Sequence, residues 1–136
     1  MLGWLALASA FERRSVWSIP NLLASTFYGE TALRRDFATS TLSGVALHLL
    51  VYAVAGVVFG LLIRDNGNRL RVVLLGMLSG VGLYYLCFGL VWKSVNPLVP
   101  LYSPDRPMLL GHLLYGTFLG RFPVYLRAVC RQFSLV

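Results

Sequence analysis

The two histidines are the side chains whose chemistry is least expected in their surroundings. His48 lies in ALHLLVYAVAGVVFG, residues 46–60, and His112 lies in GHLLYGTFLGRFP, residues 111–123. Both stretches are too apolar for a water-exposed helix, and an imidazole in the hydrocarbon region of a membrane is costly unless it has a polar partner. His48 and His112 are therefore the first candidates for a functional site.

Two chemistries suit histidines placed in this way. Histidines on facing helices can serve as axial ligands of haem b, and a single histidine can hold a chlorophyll-type pigment. The commoner arrangement is a neutral imidazole that bonds to a neighbour such as Ser43, Tyr52 or Tyr115, or to a backbone carbonyl. We expect the second arrangement and no cofactor, and we keep cofactor binding at His48 and His112 as the alternative.

The sequence offers little support for catalysis. Every acidic side chain lies outside the long uncharged stretches, so none can relay a proton in mid-membrane. There is no glycine-rich phosphate loop, HExxH motif or nucleophile elbow. The two cysteines have no CxxC spacing and no metal-ligand pattern. We therefore predict a protein that is not an enzyme and holds no metal. The acids are Glu12, Glu30, Asp36, Asp65 and Asp105, and the cysteines are Cys87 and Cys130.

Long uncharged stretches determine the fold class. Hydrophobic residues make up 57% of the chain and charged ones 12%, with a mean hydropathy of +0.71. Residues 37–63 and 72–92 carry no charge, and each exceeds the roughly 20 residues that a helix needs to cross a bilayer. A third span is expected because Arg121 can snorkel to the headgroups and Pro123 marks a kink or the membrane exit. The sequence predicts three clear transmembrane helices, at about 38–63, 72–92 and 107–126.

The N-terminal stretch MLGWLALASAF is apolar but short. As a helix it would reach only about 16 Å, and it lacks the leading positive charge of a signal peptide. We expect a membrane-embedded or interfacial helix, or the end of a longer span if Met1 is not the true start. The whole chain, 1–136, is then a single all-α membrane domain built as a small helical bundle.

Two segments resemble each other within the chain. VWSIPNLLASTFYGE, residues 16–30, can be aligned with VWKSVNPLVPLYSPD, residues 91–105, and each is followed by a helix that carries His-Leu-Leu. The matches are few in a biased composition, so chance stays an alternative. A true duplication would make residues 1–63 and 70–126 two helical hairpins in parallel orientation.

Glycines are spaced for close helix packing. Each predicted span contains a pair of glycines four residues apart, which lets another backbone approach closely. Such pairs serve packing within the chain or contact with other subunits. The predicted packing positions are Gly44, Gly56, Gly60, Gly76, Gly80, Gly116 and Gly120.

The charge of +7 needs no nucleic-acid partner, because arginines near helix ends face anionic headgroups in membrane proteins of this kind. Lysine and arginine counts slightly favour a cytoplasmic side that holds the 64–71 turn and the C-terminus. We expect a multi-pass protein of the bacterial inner membrane type. Its partners would be the bilayer and either other membrane subunits or further copies of itself.

These observations predict a non-catalytic accessory or structural subunit that packs into a larger membrane assembly through glycine-lined helix faces. The first alternative is a haem- or pigment-binding membrane subunit. The second is a small transporter, which would have to oligomerise because three or four helices are too few to enclose a path.

Overall fold

A computed structural model describes the backbone of residues 2–63 and 68–133, and the side chains of residues 3–63 and 68–122. Most of the described residues are helical and none lies in a strand, so the all-α prediction is confirmed. One 3-10 turn follows α2, at Gly29–Ala32. The helices are α1 Leu2–Phe11, α2 Ser18–Tyr28, α3 Thr39–Leu62, α4 Arg69–Val95, α5 Leu98–Tyr102 and α6 Asp105–Phe133.

Local chemistry sets where several helices begin. Pro20, Pro100 and Pro107 each lie in the first turn of a helix, where the backbone N–H that proline lacks would have no partner in the helix. The Thr41 hydroxyl accepts a hydrogen bond of 2.9 Å from the backbone N–H of Ala38 at the start of α3. These residues therefore help to fix where α2, α3, α5 and α6 begin.

Helix α4 contains a π turn at Cys87–Val91. Its buried positions Val72, Gly76, Gly80 and Tyr84 recur every fourth residue, a spacing that drifts around a helix of 3.6 residues per turn. The π turn places one extra residue in the turn, and Trp92 after it is buried again. The π turn thus keeps one stripe of α4 directed into the protein over its whole length.

Helices α4 and α6 form the closest pair and run antiparallel. Gly80 lies beside His112 and Gly116, while Gly120 lies beside Val72 and Val73. The contacts are between backbones, because the glycines leave no side chain in between. The pair is therefore held at a separation that only glycine permits.

The remaining helices pack around this pair. α3 runs parallel to α6, because its contact partners on α6 advance along the chain together with its own residues. α2 packs on α3 where Gly44 approaches the backbone of Pro20 and Ala24. The N-terminal α1 is attached to the start of α6 by a 2.7 Å hydrogen bond from Trp4 Nε1 to the Pro107 carbonyl. The α3–α6 contacts are Tyr52 with His112, Gly56 with Tyr115 and Gly60 with Phe122.

Two of the described helices, α3 and α4, are long and apolar enough to cross a membrane by length and composition. The sequence predicts three clear transmembrane helices; two of the described helices qualify, and the third span stays a prediction. Helix α6 begins with Asp105 and Arg106 and meets Arg121 after 14 uncharged residues, fewer than a span requires. It also continues past Pro123 to Phe133, beyond its predicted end near 126.

Large apolar side chains cover the outside of α3 and α4. Leu61 and Leu62 of α3 are 74% and 77% exposed, and Leu78 of α4 is 68% exposed. Only 11% of the most apolar window of α3 is buried within the protein. Both helices therefore present apolar faces outward over their length.

Two predictions fall partly on residues that the structure does not describe. Residues 64–67 of the predicted cytoplasmic turn and residues 134–136 of the C-terminus lie outside the described residues. The tandem repeat and the single domain stay predictions. The parallel course of α3 and α6, which carry His48 and His112, is what such a repeat would require.

Candidate functional site: a buried imidazole cluster and its cavity

His112 is fully engaged in hydrogen bonds. The side chain is 1% exposed, and its Nδ1 lies 2.8 Å from the carbonyl oxygen of Met108. Because a carbonyl can only accept, Nδ1 carries the proton. In the neutral ring Nε2 is then an acceptor, and the Tyr52 hydroxyl donates to it at 2.8 Å. Both nitrogens of His112 thus have partners within the protein.

Aromatic rings surround His112 and join three helices there. Tyr52 comes from α3, while Tyr84 and Phe88 come from α4, and their ring centroids lie 5.4 to 5.9 Å from that of His112. The Tyr115 hydroxyl of α6 donates to the backbone carbonyl of Tyr52. The cluster therefore fixes α3 and α4 onto α6 at one depth.

His48 has a different environment. It is 6% exposed, and its ring centroid lies 4.5 Å from that of Tyr52. Its Nε2 is buried and has no hydrogen-bond partner in the structure, a condition it shares, among the described side chains, with Ser103 Oγ alone. Buried polar atoms in native proteins nearly always have a partner. These two atoms therefore point to something the protein chain does not itself supply.

Both unpartnered residues line the same cavity. Its space for the centres of water-sized molecules is about 30 Å³. The residues that line the cavity are mainly apolar, and two of them, Cys87 and Phe88, belong to the π turn of α4. No charged side chain lines it. The lining residues are Leu5, Ile19, Leu22, Leu23, His48, Val51, Tyr52, Cys87, Phe88, Trp92, Val99, Ser103, Met108 and His112.

The arrangement does not suit a haem. Tyr52 packs against both imidazoles, and a bis-histidine haem would need one free nitrogen from each histidine facing the iron. His112 has none free in this arrangement. A pigment held by His48 alone would need space for a macrocycle beside the ring, and the cavity offers far less. In the described part of the chain no three His, Cys, Asp or Glu side chains are grouped to hold a metal ion.

The structure places the predicted packing glycines within the chain. Gly76, Gly80, Gly116 and Gly120 lie between α4 and α6, and Gly44 lies against α2. An added Cβ at Gly56 would be 3.3 Å from the Tyr115 hydroxyl oxygen, and one at Gly60 would be 3.9 Å from Phe122 Cε1, so both face α6 side chains.

Gly82 and Gly89 of α4, which are not among the predicted packing glycines, face open space. An added Cβ at Gly82 or Gly89 would meet nothing within 4 Å. Gly82 and Gly89 are seven residues apart in the sequence, about two helical turns, and this spacing could have identified them as a second pair of glycines on one side of α4.

Two buried asparagines, which were not predicted as site residues, hold the segments around the cavity together. Asn21 Nδ2 donates to the carbonyls of Arg34 and Asp36. Asn96 Nδ2 donates to the hydroxyls of Ser25 and Thr26 at 2.8 and 3.1 Å. Each asparagine joins segments that are distant in sequence, so both position the helices around the cavity.

Family models, curated proteins and solved structures give no match to this chain. Its function is therefore argued from its own residues and their arrangement.

The Tyr52–His112 bond gives a direct test of the cluster. Tyr52→Phe removes the donor and leaves His112 Nε2 buried without a partner, which costs about 1 to 3 kcal/mol. We expect a lower midpoint of thermal unfolding, measured by circular dichroism on detergent-purified protein.

Tyr85→Phe is the control for Tyr52→Phe. Tyr85 is a neighbouring exposed tyrosine on α4, and its change should leave the midpoint in place. Equal midpoints for the two variants would contradict the assigned bond.

Proposed function

We propose that this chain is a non-catalytic integral membrane protein that serves as an accessory or structural subunit of a larger membrane assembly. The observation that carries the proposal is the continuous apolar exterior of α3 and α4. In water such a surface would be far larger than the apolar patches that soluble monomers expose. A bilayer accommodates it without cost.

The proposal includes α6 as a third membrane-crossing helix. Its contacts with α4 extend from Gly80 beside His112 to Val73 beside Gly120. A helix packed on α4 over this length lies at the same membrane depth as α4. The burial of its glycine face against α4 offsets the shortness of its uncharged part, and Arg121 is placed to snorkel.

We further propose a location in a bacterial inner membrane, with the 64–71 turn and the C-terminus on the cytoplasmic side. In the sequence that side has six lysines and arginines against four on the other, or six on each side when Arg13 and Arg14 are counted. The small excess in the first count favours the 64–71 side as cytoplasmic.

The assembly surface that we propose is the open side of α4 around Gly82 and Gly89. At about 100° per residue, Gly82 lies roughly 200° around α4 from Gly80, which faces α6. The surface is thus on the opposite side of α4 from its internal partner. Exposed Leu78, Tyr85 and Leu86 flank the two glycines, which gives a shallow groove that a helix of another membrane subunit can enter closely.

Native sizing in mild detergent tests this assembly. We expect the wild-type chain to migrate above the size of one 15.1 kDa copy with its detergent. The double change Gly82→Leu and Gly89→Leu should reduce it to a monomer, since two leucines would fill the groove.

Gly3→Leu is the matched control, because Gly3 is an equally open glycine on α1 and lies outside the proposed surface. A wild-type protein that migrates as a lone monomer without a co-purifying protein would overturn the proposal.

The transporter alternative receives no comparable support. The cavity beside His48 holds only about 30 Å³ for the centres of water-sized molecules, which is too little for a solute path. A transport path would have to form between copies of the chain.

A further inference from the structure

We propose that the cavity beside His48 is a binding site for one uncharged hydroxyl group, which bridges His48 Nε2 and Ser103 Oγ. The group belongs either to a water molecule or to a short alcohol. The inference goes beyond the proposed accessory role and does not depend on it, since the site lies inside a single chain.

The two unpartnered atoms carry the proposal. His48 comes from α3 and Ser103 follows α5, yet both line one cavity and both are more than nine-tenths buried. Their polar atoms are the only buried side-chain nitrogen and oxygen atoms of the described residues that lack a hydrogen bond. An unpaired buried polar atom destabilises a protein, and one guest placed between them removes both deficits.

The chemistry of the two atoms selects a hydroxyl. A serine hydroxyl can donate and accept, and imidazole Nε2 does one or the other according to its tautomer. A hydroxyl guest donates to one atom and accepts from the other, so it suits either tautomer of His48. A carbonyl group can only accept, and would leave Nε2 unpaired whenever that atom is the acceptor.

Charge and size limit the guest further. Side chains without charge line the cavity, and most of them are apolar, so an ion would lose its hydration without gaining a counter-charge. A buried water needs at least roughly 10–15 Å³ of such space, and the cavity provides about 30 Å³. The space therefore takes one or two water molecules, or a hydroxyl with very few carbon atoms.

The π turn of α4 supplies part of this site. Cys87 and Phe88 lie in or beside the turn, and Trp92 follows it; all three line the cavity. Single π turns within α-helices occur frequently at functional sites. The turn and the residue after it thus supply three of the residues that line the cavity.

Nitrogen NMR on protein labelled with ¹⁵N-histidine, reconstituted in lipid nanodiscs, tests the site. The chain has two histidines, so His112 serves as an internal reference in the same spectrum, and His48→Gln and His112→Gln assign the signals. If water is the guest, magnetisation transfers from water to His48 Nε2 and not to His112 Nε2. If an alcohol is the guest, added ethanol shifts the His48 signal saturably and leaves the His112 signal in place.

Ser103→Ala removes one end of the bridge and should shift the His48 Nε2 signal, while Ser103→Thr keeps the hydroxyl and should restore it. The Thr variant also guards against a general loss of folding. The proposal is overturned if His48 Nε2 receives no transfer from water, does not respond to ethanol and is unchanged by Ser103→Ala.

Discussion

Gly76→Ala is expected to force α4 away from α6 and to cause a large loss of stability. An added Cβ would overlap the Gly116 carbonyl and lie 2.7 Å from the backbone nitrogen of Gly120. Both are backbone atoms, which can move away only if the whole helix moves. Overpacking of this kind costs about 1 to 3 kcal/mol and sometimes more. We expect a free-energy cost near the upper end of this range, which is measured as a lower midpoint of thermal unfolding in detergent.

Gly82→Ala is the matched control. It makes the same change on the same helix, but an added Cβ there meets nothing within 4 Å. Because alanine forms helix more readily than glycine, Gly82→Ala should be neutral or stabilise by about 0.5 to 1 kcal/mol. Similar losses at both positions would show that the α4–α6 contact does not depend on the glycines.

Asn21→Ala should produce the second large effect. Asn21 is 1% exposed; its Nδ2 donates to the carbonyls of Arg34 and Asp36 at 2.7 and 3.0 Å, and its Oδ1 accepts from the Thr41 hydroxyl at 2.6 Å. Alanine cannot form these hydrogen bonds, so the two carbonyls and the Thr41 hydroxyl lose their bonds to residue 21. A buried polar group left without a partner costs about 1 to 3 kcal/mol. We expect a total loss of about 2 to 4 kcal/mol, with cleavage by trypsin at Arg34 becoming faster because its backbone is no longer held.

Asn68→Ala provides the comparison for Asn21. The Asn68 side chain accepts one exposed hydrogen bond, from the Leu70 N–H at the start of α4, so its loss should cost about 1 kcal/mol. It should leave trypsin cleavage at Arg34 unchanged. An Asn21→Ala variant no less stable than Asn68→Ala, with an intact 33–38 segment, would remove Asn21 from its assigned role.

The helices could be predicted from the sequence where an apolar and uncharged composition extends over many residues. The uncharged stretches 37–63 and 72–92 correspond to α3 and α4, because apolar composition over that length allows little else. The third span was predicted by extending 14 uncharged residues past Arg121. Whether Arg121 can lie at the end of a span depends on how its side chain reaches the headgroups, which the sequence does not determine. The continuation of α6 beyond Pro123 could not be read from a residue that ordinarily disrupts a helix.

The candidate site was predicted only in part. Tyr52 and a backbone carbonyl were among the partners expected for the histidines, since residues four apart share a helix face, and both are found at His112. The different state of His48 could not be predicted, because it depends on where Ser103 lies. That position follows from the π turn of α4 and the short α5, neither of which has a periodic sequence signal.

The shared role of α6 has a consequence for how the protein is made. α3 and α4 have few contacts with each other: α3 packs mainly on α2, and α4 packs mainly on α6. A ribosome completes α6 after both of them, so in the membrane location proposed above the glycine face of α4 enters the bilayer before its partner has been made. The interval lasts while the segments up to α6 are translated and inserted. Membrane chaperones and quality-control proteases that recognise unpaired helices have their opportunity in that interval, and the arrival of α6 ends it.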